Sequence, residues 1–373
     1  MRHSRFGQNK VPSMKKDRFR TLHEIVNAAR LNLNQTDWDY LIGGTETETT
    51  LKRNRHAIDG RALRPFVLND VSSIDCTTEF FGATLAMPVM LAPIGSLQVF
   101  DAGGGASAAI AAENAGIASM ASSVCSPSIE DIAAAANNPK FYQLYVRGDD
   151  AWVDEVLARV TASGYLGLCL TVDTAVVSRR ERDIAKRVIP TSQAAGHGDF
   201  TFQAKLSWKD IERIKQKSTI PIFLKGLSRV DDVRRALDIG MDAIYLSNHG
   251  GRQLDHGPGA LDVLEDVVSQ IDIPVPLIVD GGFYRGSDIV KAIAMGANMV
   301  GLGRLEAWAL AAGGVEALTA CLRILRAEIV ETMALCGTPR LSDLTPALVE
   351  NAPVVTDSDV LSAFPLLSLD EGY

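Results

Sequence analysis

Cysteine is scarce in this chain and never paired. The five residues Cys76, Cys125, Cys169, Cys321 and Cys336 are scattered, none forms a C-x-x-C, and the total is odd. Such a set signals neither a disulfide framework nor a zinc site, so no metal is expected and a reducing cytoplasm suits the chain. Missing too is any uninterrupted apolar run near the roughly 18 residues that a membrane-spanning helix needs, and a soluble protein without a membrane partner is expected. Positive charge is short as well: 37 Lys and Arg face 45 Asp and Glu, a net charge of -8. A nucleic-acid binder usually presents a strongly basic face, so nucleic acid is not an expected partner. Residues 1–20 carry seven Lys or Arg against Asp17 but lack the apolar core and small-residue cleavage site of a secretory leader. They read as a solvated, mobile basic tail ahead of a single domain over 21–373.

What the sequence does hold is alternation. Residues 21–81 mix charged residues with Leu, Ile and Ala at helical spacing, which predicts an N-terminal helical cap. Beyond it, strand-like apolar runs are expected at 88–92, 117–122, 141–146, 167–173, 222–225, 243–247, 277–280 and 299–303. Helical segments fall between and after them, at 105–115, 129–136, 152–162, 209–216, 230–239, 260–270, 287–294 and 305–333. Eight βα units in series with right-handed crossovers close most naturally into a parallel (β/α)8 barrel of the TIM type. The stretch 184–206 is the one long barrel loop with no convincing element, and a loop of that size suggests a lid over a site.

Barrels of this kind carry their chemistry at the carboxyl ends of the strands. Here those ends read Ala92-Pro93-Ile94-Gly95, Ser122, Gln143 with Tyr145, Thr171 with Asp173, Lys225, Ser247 to Arg252, Asp280-Gly281-Gly282 and Gly303-Arg304. A lone His or Lys is most often a satisfied structural residue. Polar ends on nearly every strand of one face argue for a site instead. The glycines closing strands seven and eight let backbone N–H groups approach an anion, which points to a phosphate-bearing cofactor.

The run SNHGGRQLD at 247–255 resembles the signature of the FMN-dependent 2-hydroxy acid oxidases and dehydrogenases, the family of glycolate oxidase, lactate oxidase and mandelate dehydrogenase. It is joined in order by Asp39-Tyr40 and Gly44, Ala92-Pro93, Gln143-Leu144-Tyr145, TVDT at 171–174 with Arg179-Arg180, Lys225-Gly226 and Asp280-Gly281-Gly282, so the match covers about residues 21–345.

The resemblance implies FMN as cofactor and assigns roles that elementary chemistry supports. Taking a proton beside a carboxylate calls for a base of near-neutral pKa, which makes His249 the base, with Asp173 orienting it and Tyr145 completing the catalytic set. Arg180 and Arg252 match the pair that clamps the substrate carboxylate, for which planar bidentate cations are suited. Tyr40 and Tyr145 match the tyrosines that hydrogen-bond the carboxylate and the reacting oxygen. Lys225 matches the cation at the flavin N1–C2 carbonyl edge, where it favours negative charge on the ring. Ser122, Gln143, Thr171 and Ser247 match polar contacts to the isoalloxazine or ribityl groups. The backbone of Ala92, Pro93 and Ile94 matches the wall against the ring, with Gly95 near N5. Asp280, Gly281, Gly282, Tyr284, Gly303 and Arg304 match the ribityl and phosphate end. The implied reaction oxidises an L-2-hydroxy acid to the 2-oxo acid, with O2 (giving hydrogen peroxide) or another acceptor reoxidising the flavin, in a homotetramer or octamer.

The chain also departs from that pattern. Many relatives have Arg where Tyr284 stands, and Arg285 is expected to supply the missing phosphate charge. Val124 replaces a Trp common in oxidases, which predicts a roomier pocket and argues against glycolate. Gly95 stands where several oxidases have Ala, which leaves oxidase, dehydrogenase and monooxygenase open. The 184–206 loop is short and polar, with Gln193, His197 and Gly198, and predicts an exposed mouth. Two other readings are a peptide-derived amine or lactam substrate and a flavin-binding scaffold without turnover. The Arg180/Arg252 pair argues against the first, and the full set of Tyr40, Tyr145, Asp173, His249 and Arg252 against the second.

Overall fold

The computed structural model describes residues 18–187 and 200–367; most of the expected basic tail (1–17), the centre of the long loop (188–199) and 368–373 lie outside the described residues. The chain opens with α1 (Leu22–Asn32), α2 (Gln35–Ile42) and α3 (Thr49–Asp59), then β1 (Arg61–Leu63) and the hairpin of β2 (Thr78–Phe80) and β3 (Ala83–Leu85). Strands and helices then alternate: β4 (Val89–Leu91), α4 (Gly104–Ala115), β5 (Ala118–Ser122), α5 (Ile129–Ala135), β6 (Lys140–Leu144), α6 (Asp150–Ala162) and β7 (Leu168–Thr171). Three helices, α7 (Glu181–Ala185), α8 (Thr201–Lys205) and α9 (Trp208–Lys217), precede β8 (Ile222–Leu227). Then come α10 (Val230–Ile239), β9 (Ala243–Leu246), α11 (Ala260–Gln270), β10 (Leu277–Asp280), α12 (Gly286–Ala294), β11 (Met299–Leu302), α13 (Arg304–Leu335) and β12 (Val349–Asn351).

Strands β4 to β11 pair in parallel in chain order, and β11 returns to β4, so the barrel is closed. All eight expected strands are present within two residues of their predicted ends. The period-two alternation along each strand explains why. Outward residues such as Leu168 and Leu170, Ile222 and Leu224, or Leu277 and Val279 join the large core shared with the surrounding helices. Inward residues form a separate cluster that includes Met120, Phe141, Cys169, Phe223, Tyr245 and Ile278. The β2–β3 hairpin, which the sequence did not suggest, plugs the barrel floor: Phe80 and Phe81 meet Phe141 and Phe223 with ring centroids 4.9 to 6.4 Å apart.

One expectation needs correction. The 184–206 stretch is not free of structure, because α8 lies within it and α7 ends at its start. Buried Gln203 explains why this part is ordered: its side chain accepts from the Val146 amide at 2.7 Å and donates to the Thr171 carbonyl at 2.8 Å. Helix α13 has the length and composition to cross a bilayer only when counted through Gly313 and Gly314, whose non-helical backbone kinks it, and it holds no uninterrupted apolar run, in line with the expectation. Most of it is buried against the rest of the fold, where it packs on α1, α4 and α12.

The cap is fastened to the barrel by the 247–255 motif itself. Helix α3 has no capping side chain of its own at Glu48. Asp255 does that work from the far loop, accepting from the Thr47 and Thr50 amides at 2.9 and 2.8 Å. This latch sets α2, with Tyr40, over the barrel mouth.

Candidate active site

The site grows from the ends of β7, β8 and β9. His249 follows β9 with φ +59, a left-handed conformation that costs a non-glycine residue energy, and its amide donates to the Ser247 hydroxyl at 3.0 Å. Its imidazole lies between Asp173 and Tyr145: Nδ1 is 3.2 Å from Asp173 Oδ1, and Nε2 is 3.3 Å from the Tyr145 hydroxyl. A glycine makes this approach feasible. Strand β8 bulges between Lys225 and Leu227, and a Cβ on Gly226 (φ +105) would sit 2.6 Å from the Asp173 Cβ.

The electrostatics suit a neutral base. Burial lowers the His249 pKa from its ordinary value; Asp173 opposes this, while the nearby Lys225 and Arg180 cations add to it. Burial alone would raise the Asp173 carboxyl, yet the His249 imidazole and then Lys225 hold it below its usual value. Burial pushes the Tyr145 phenol up, so it remains a donor.

Arg252 is held by the Tyr40 and Gly43 carbonyls at 2.7 and 3.0 Å and lies 4.9 Å over the Tyr40 ring. Its neighbour Arg180 donates to the Ser178 hydroxyl at 3.2 Å, and that hydroxyl donates to the Arg252 carbonyl at 2.6 Å. Burial and then the Arg180 charge press the Arg252 pKa down, an unfavourable pairing that a carboxylate between the two guanidiniums would relieve. Deeper in, Lys225 donates to the Ser247 hydroxyl at 2.6 Å and lies 3.1 Å from Asp280, which also accepts from Ser247 at 2.5 Å. Burial opposes the Lys225 charge, but Asp280 and then Asp173 outweigh it and keep the ammonium charged.

Most of these groups share one open cleft at the barrel mouth. Tyr40, Ala92, Pro93, Ile94, Gly95, Tyr145, Arg180, Lys225, His249, Arg252, Asp280, Gly281, Gly282, Tyr284, Gly303 and Arg304 all line it. Ser122, Gln143, Thr171 and Ser247 lie just behind. The first three form a buried chain in which Ser122 donates to Gln143 at 2.8 Å and Gln143 to Thr171 at 2.9 Å, while Ser247 belongs to the Lys225–Asp280 group.

Arg285 is a correction. Its guanidinium turns away and grips Glu328 on α13 at 2.6 and 3.1 Å, so it is not on the cleft wall and cannot replace a phosphate-binding cation there. Tyr284 does line the cleft, and burial pushes its phenol up while the nearby Arg304 and Arg55 cations oppose that. The same end fits a phosphate in other respects. Helix α13 starts at Gly303 with no capping side chain, and a Cβ on Gly303 would meet no atom within 4 Å. The Arg304 and Leu305 amides that open α13 can form an anion cradle, while the Glu306 amide is already bonded to the Gly303 carbonyl at 2.9 Å.

Sequence reasoning missed the residues that hold this architecture from a distance. Asn54 of α3 and Asn248 exchange side-chain hydrogen bonds at 2.7 and 3.0 Å, and Asn248 also accepts from the Gly251 amide at 3.1 Å. Arg55 donates to the Gly282 carbonyl at 2.7 Å and to Asp288 at 2.6 Å. Nothing in the local pattern of α3 marks either residue, because their partners lie far away in the sequence. Phe100, Arg147, Val177, Phe200 and Gln253 line the cleft too, with Val124 beside them as expected.

Comparison with known proteins agrees with this geometry. The sequence profile of the FMN-dependent dehydrogenases matches residues 29–351. Glycolate oxidase 1 of Zea mays is 37% identical over 363 residues, covering 92% of this chain and 97% of the maize enzyme. L-lactate oxidase of a Nostoc species is 36% identical over 349 residues, covering 87% and 96%. A soluble mutant of the membrane-associated (S)-mandelate dehydrogenase from Pseudomonas putida superposes with a TM-score of 0.83 at 31% identity, covering 88% of this chain and 99% of that one. The chain belongs to the FMN-dependent dehydrogenase family, and FMN is its cofactor.

Proposed function

We propose that the protein oxidises an L-2-hydroxy acid to the corresponding 2-oxo acid. The observation that carries this reading is the placement of the Asp173–His249–Tyr145 chain in one cleft with Arg180, Arg252 and Lys225. FMN supplies the two-electron acceptor that such an oxidation needs. Lys225 would stand at the ring's N1–C2 carbonyl edge, where its charge favours negative charge on the ring, Ser122, Gln143, Thr171, Ser247 and Asp280 would hold its polar groups, and Gly303 with Arg304 and Tyr284 would receive the phosphate. Ala92 to Gly95 would form the wall against the ring.

The remaining roles belong to the side chains. Arg180 and Arg252 grip the substrate carboxylate and fix which hydrogen faces the ring. Tyr40 and Tyr145 donate to the carboxylate and the hydroxyl oxygen. His249, neutral at physiological pH, takes the proton released from the hydroxyl-bearing unit, and Asp173 stabilises the imidazolium that results. The flavin returns to its starting state through O2 or another acceptor. The enzyme acts in the cytoplasm as a homotetramer or octamer; exposed Val67, Leu68 and Leu335 offer apolar surface for a second copy, and solution mass checks the assembly.

The test is anaerobic. A panel of 2-hydroxy acids is mixed with the yellow protein, and at least one should bleach the flavin absorbance. His249→Ala should stay yellow and fail to bleach. A panel that leaves the native flavin fully oxidised overturns the reading.

A further inference from the structure

One polar side chain of the barrel interior has no part in the chemistry proposed above. Tyr245 of β9 is fully buried, and its hydroxyl finds no hydrogen-bond partner among the described residues. Burying a polar group in that state is costly, and in native folds such groups meet a water or a ligand. Burial, and after it the Asp280 charge, push the phenol well above its ordinary pKa, so the hydroxyl keeps its proton.

Its surroundings are those of the cofactor. By strand alternation Tyr245 faces inward, one layer below Ser247. From β9 it reaches past Asp280 of β10 to Gly301 of β11, and Gly301 pairs with Asp280 in register. A Cβ on Gly301 would fall 2.1 Å from the Tyr245 hydroxyl and 3.2 Å from the Asp280 Cβ, so the phenol occupies this spot only because Gly301 has no side chain. Gly301, Asp280 and Lys225 all line the cleft, which puts the hydroxyl directly under its floor. The Lys225 ammonium stands 4.9 Å over the Tyr245 ring and 3.1 Å from Asp280. Lys225 is the cation for the flavin's N1–C2 carbonyl edge, and the ring meets only the part of its charge that Asp280 does not neutralise.

We propose that Tyr245 is a positioning residue for the Lys225–Asp280 pair, whose ring and buried hydroxyl together raise the reduction potential of bound FMN. The π face steadies the ammonium at the cleft floor. The hydroxyl beside Asp280 offsets part of the carboxylate charge and leaves more of the Lys225 charge to the cofactor, where it favours the reduced, negatively charged ring. This inference concerns the cofactor alone and holds whichever substrate the enzyme takes.

The experiment is an anaerobic titration of the FMN-loaded protein with dithionite beside a reference dye of known potential, with no hydroxy acid present. Tyr245→Phe keeps the ring and removes the hydroxyl. It should move the equilibrium about tenfold toward the oxidised flavin, a fall of about 30 mV for a two-electron couple, while the FMN Kd and the unfolding midpoint stay near native. Tyr245→Leu removes the ring as well and should lower the potential further. An unchanged or higher potential in Tyr245→Phe overturns the assignment. So does a Tyr245→Phe protein that no longer holds FMN, because the hydroxyl would then serve binding or folding rather than the potential. Where only Tyr245→Leu loses the cofactor, the Tyr245→Phe potential decides alone. Since no substrate is added, these outcomes are separate from the test of hydroxy-acid oxidation.

Discussion

The two ends of the barrel are built from the same eight strands and obey opposite rules. At the floor, Phe80, Phe81, Phe141 and Phe223 interlock as an apolar plug with no charge among them. Two or four residues further along, the same strands carry Gln143 and Tyr145, Lys225, Ser247 and Asp280, buried nearly as deeply but hydrogen-bonded to one another. The floor earns stability from packing and can be specified by volume. The mouth spends it, holding His249 at a positive φ and two guanidiniums side by side. Strand geometry lets one element serve both ends, because each inward step along it moves from the packed layer to the reactive one.

Separating these ends by mutation should give effects of different kind. The largest belongs to the mouth: His249→Gln should slow flavin reduction by about 10³- to 10⁴-fold while leaving FMN bound and the melting temperature nearly unchanged. Stopped-flow reduction and thermal melting, run on one preparation, measure both. The floor should behave in reverse. Phe223→Ala empties a fully buried site and should cost about 3–5 kcal/mol of stability by denaturant unfolding, with the reduction rate of the folded fraction close to native. A large rate loss there would mean that floor and mouth are not separable.

Smaller effects test the details. Arg252→Lys keeps the charge but loses the fork, so KM should rise about 10- to 100-fold. The pH profile of kcat/KM reports the base in the free enzyme. His249 must be neutral to act and its pKa lies below its ordinary 6.5, so activity should hold as pH falls to about that value and be lost only below it. Removing the Asp173 charge, which raises that pKa, should move the acid limb lower still in Asp173→Asn while the maximal rate drops. The smallest change is expected at the cap. Asp255→Ala removes the acceptor for the Thr47 and Thr50 amides at the start of α3 and should cost about 1–2 kcal/mol, seen as a lower unfolding midpoint.

The sequence made the barrel legible because burial on both faces leaves a short apolar run at every strand, and the spacing of eight such runs admits few closures. It made most of the cleft legible because chemistry-bearing residues sit at strand ends. It failed where neighbours in sequence diverge in space. Arg285 follows Tyr284 directly, yet one residue faces the cleft and the next reaches Glu328, since Arg285 begins α12 and its side chain points to the adjoining helix. It failed also where partners are far apart in sequence, as with Asn54 and Asn248, or Gln203 and Val146.

What the sequence alone determined, then, is the alternation of elements and the chemical character of each strand end, because both follow from local period and residue type. Only the tertiary structure decided which of those groups meet. The Asp173 carboxylate reaches the His249 imidazole because the β8 bulge at Gly226 leaves room for it, and Asn54 meets Asn248 because α3 is latched to the 247–255 motif through Asp255. Such contacts depend on the relative placement of strands dozens of residues apart, which no local pattern encodes.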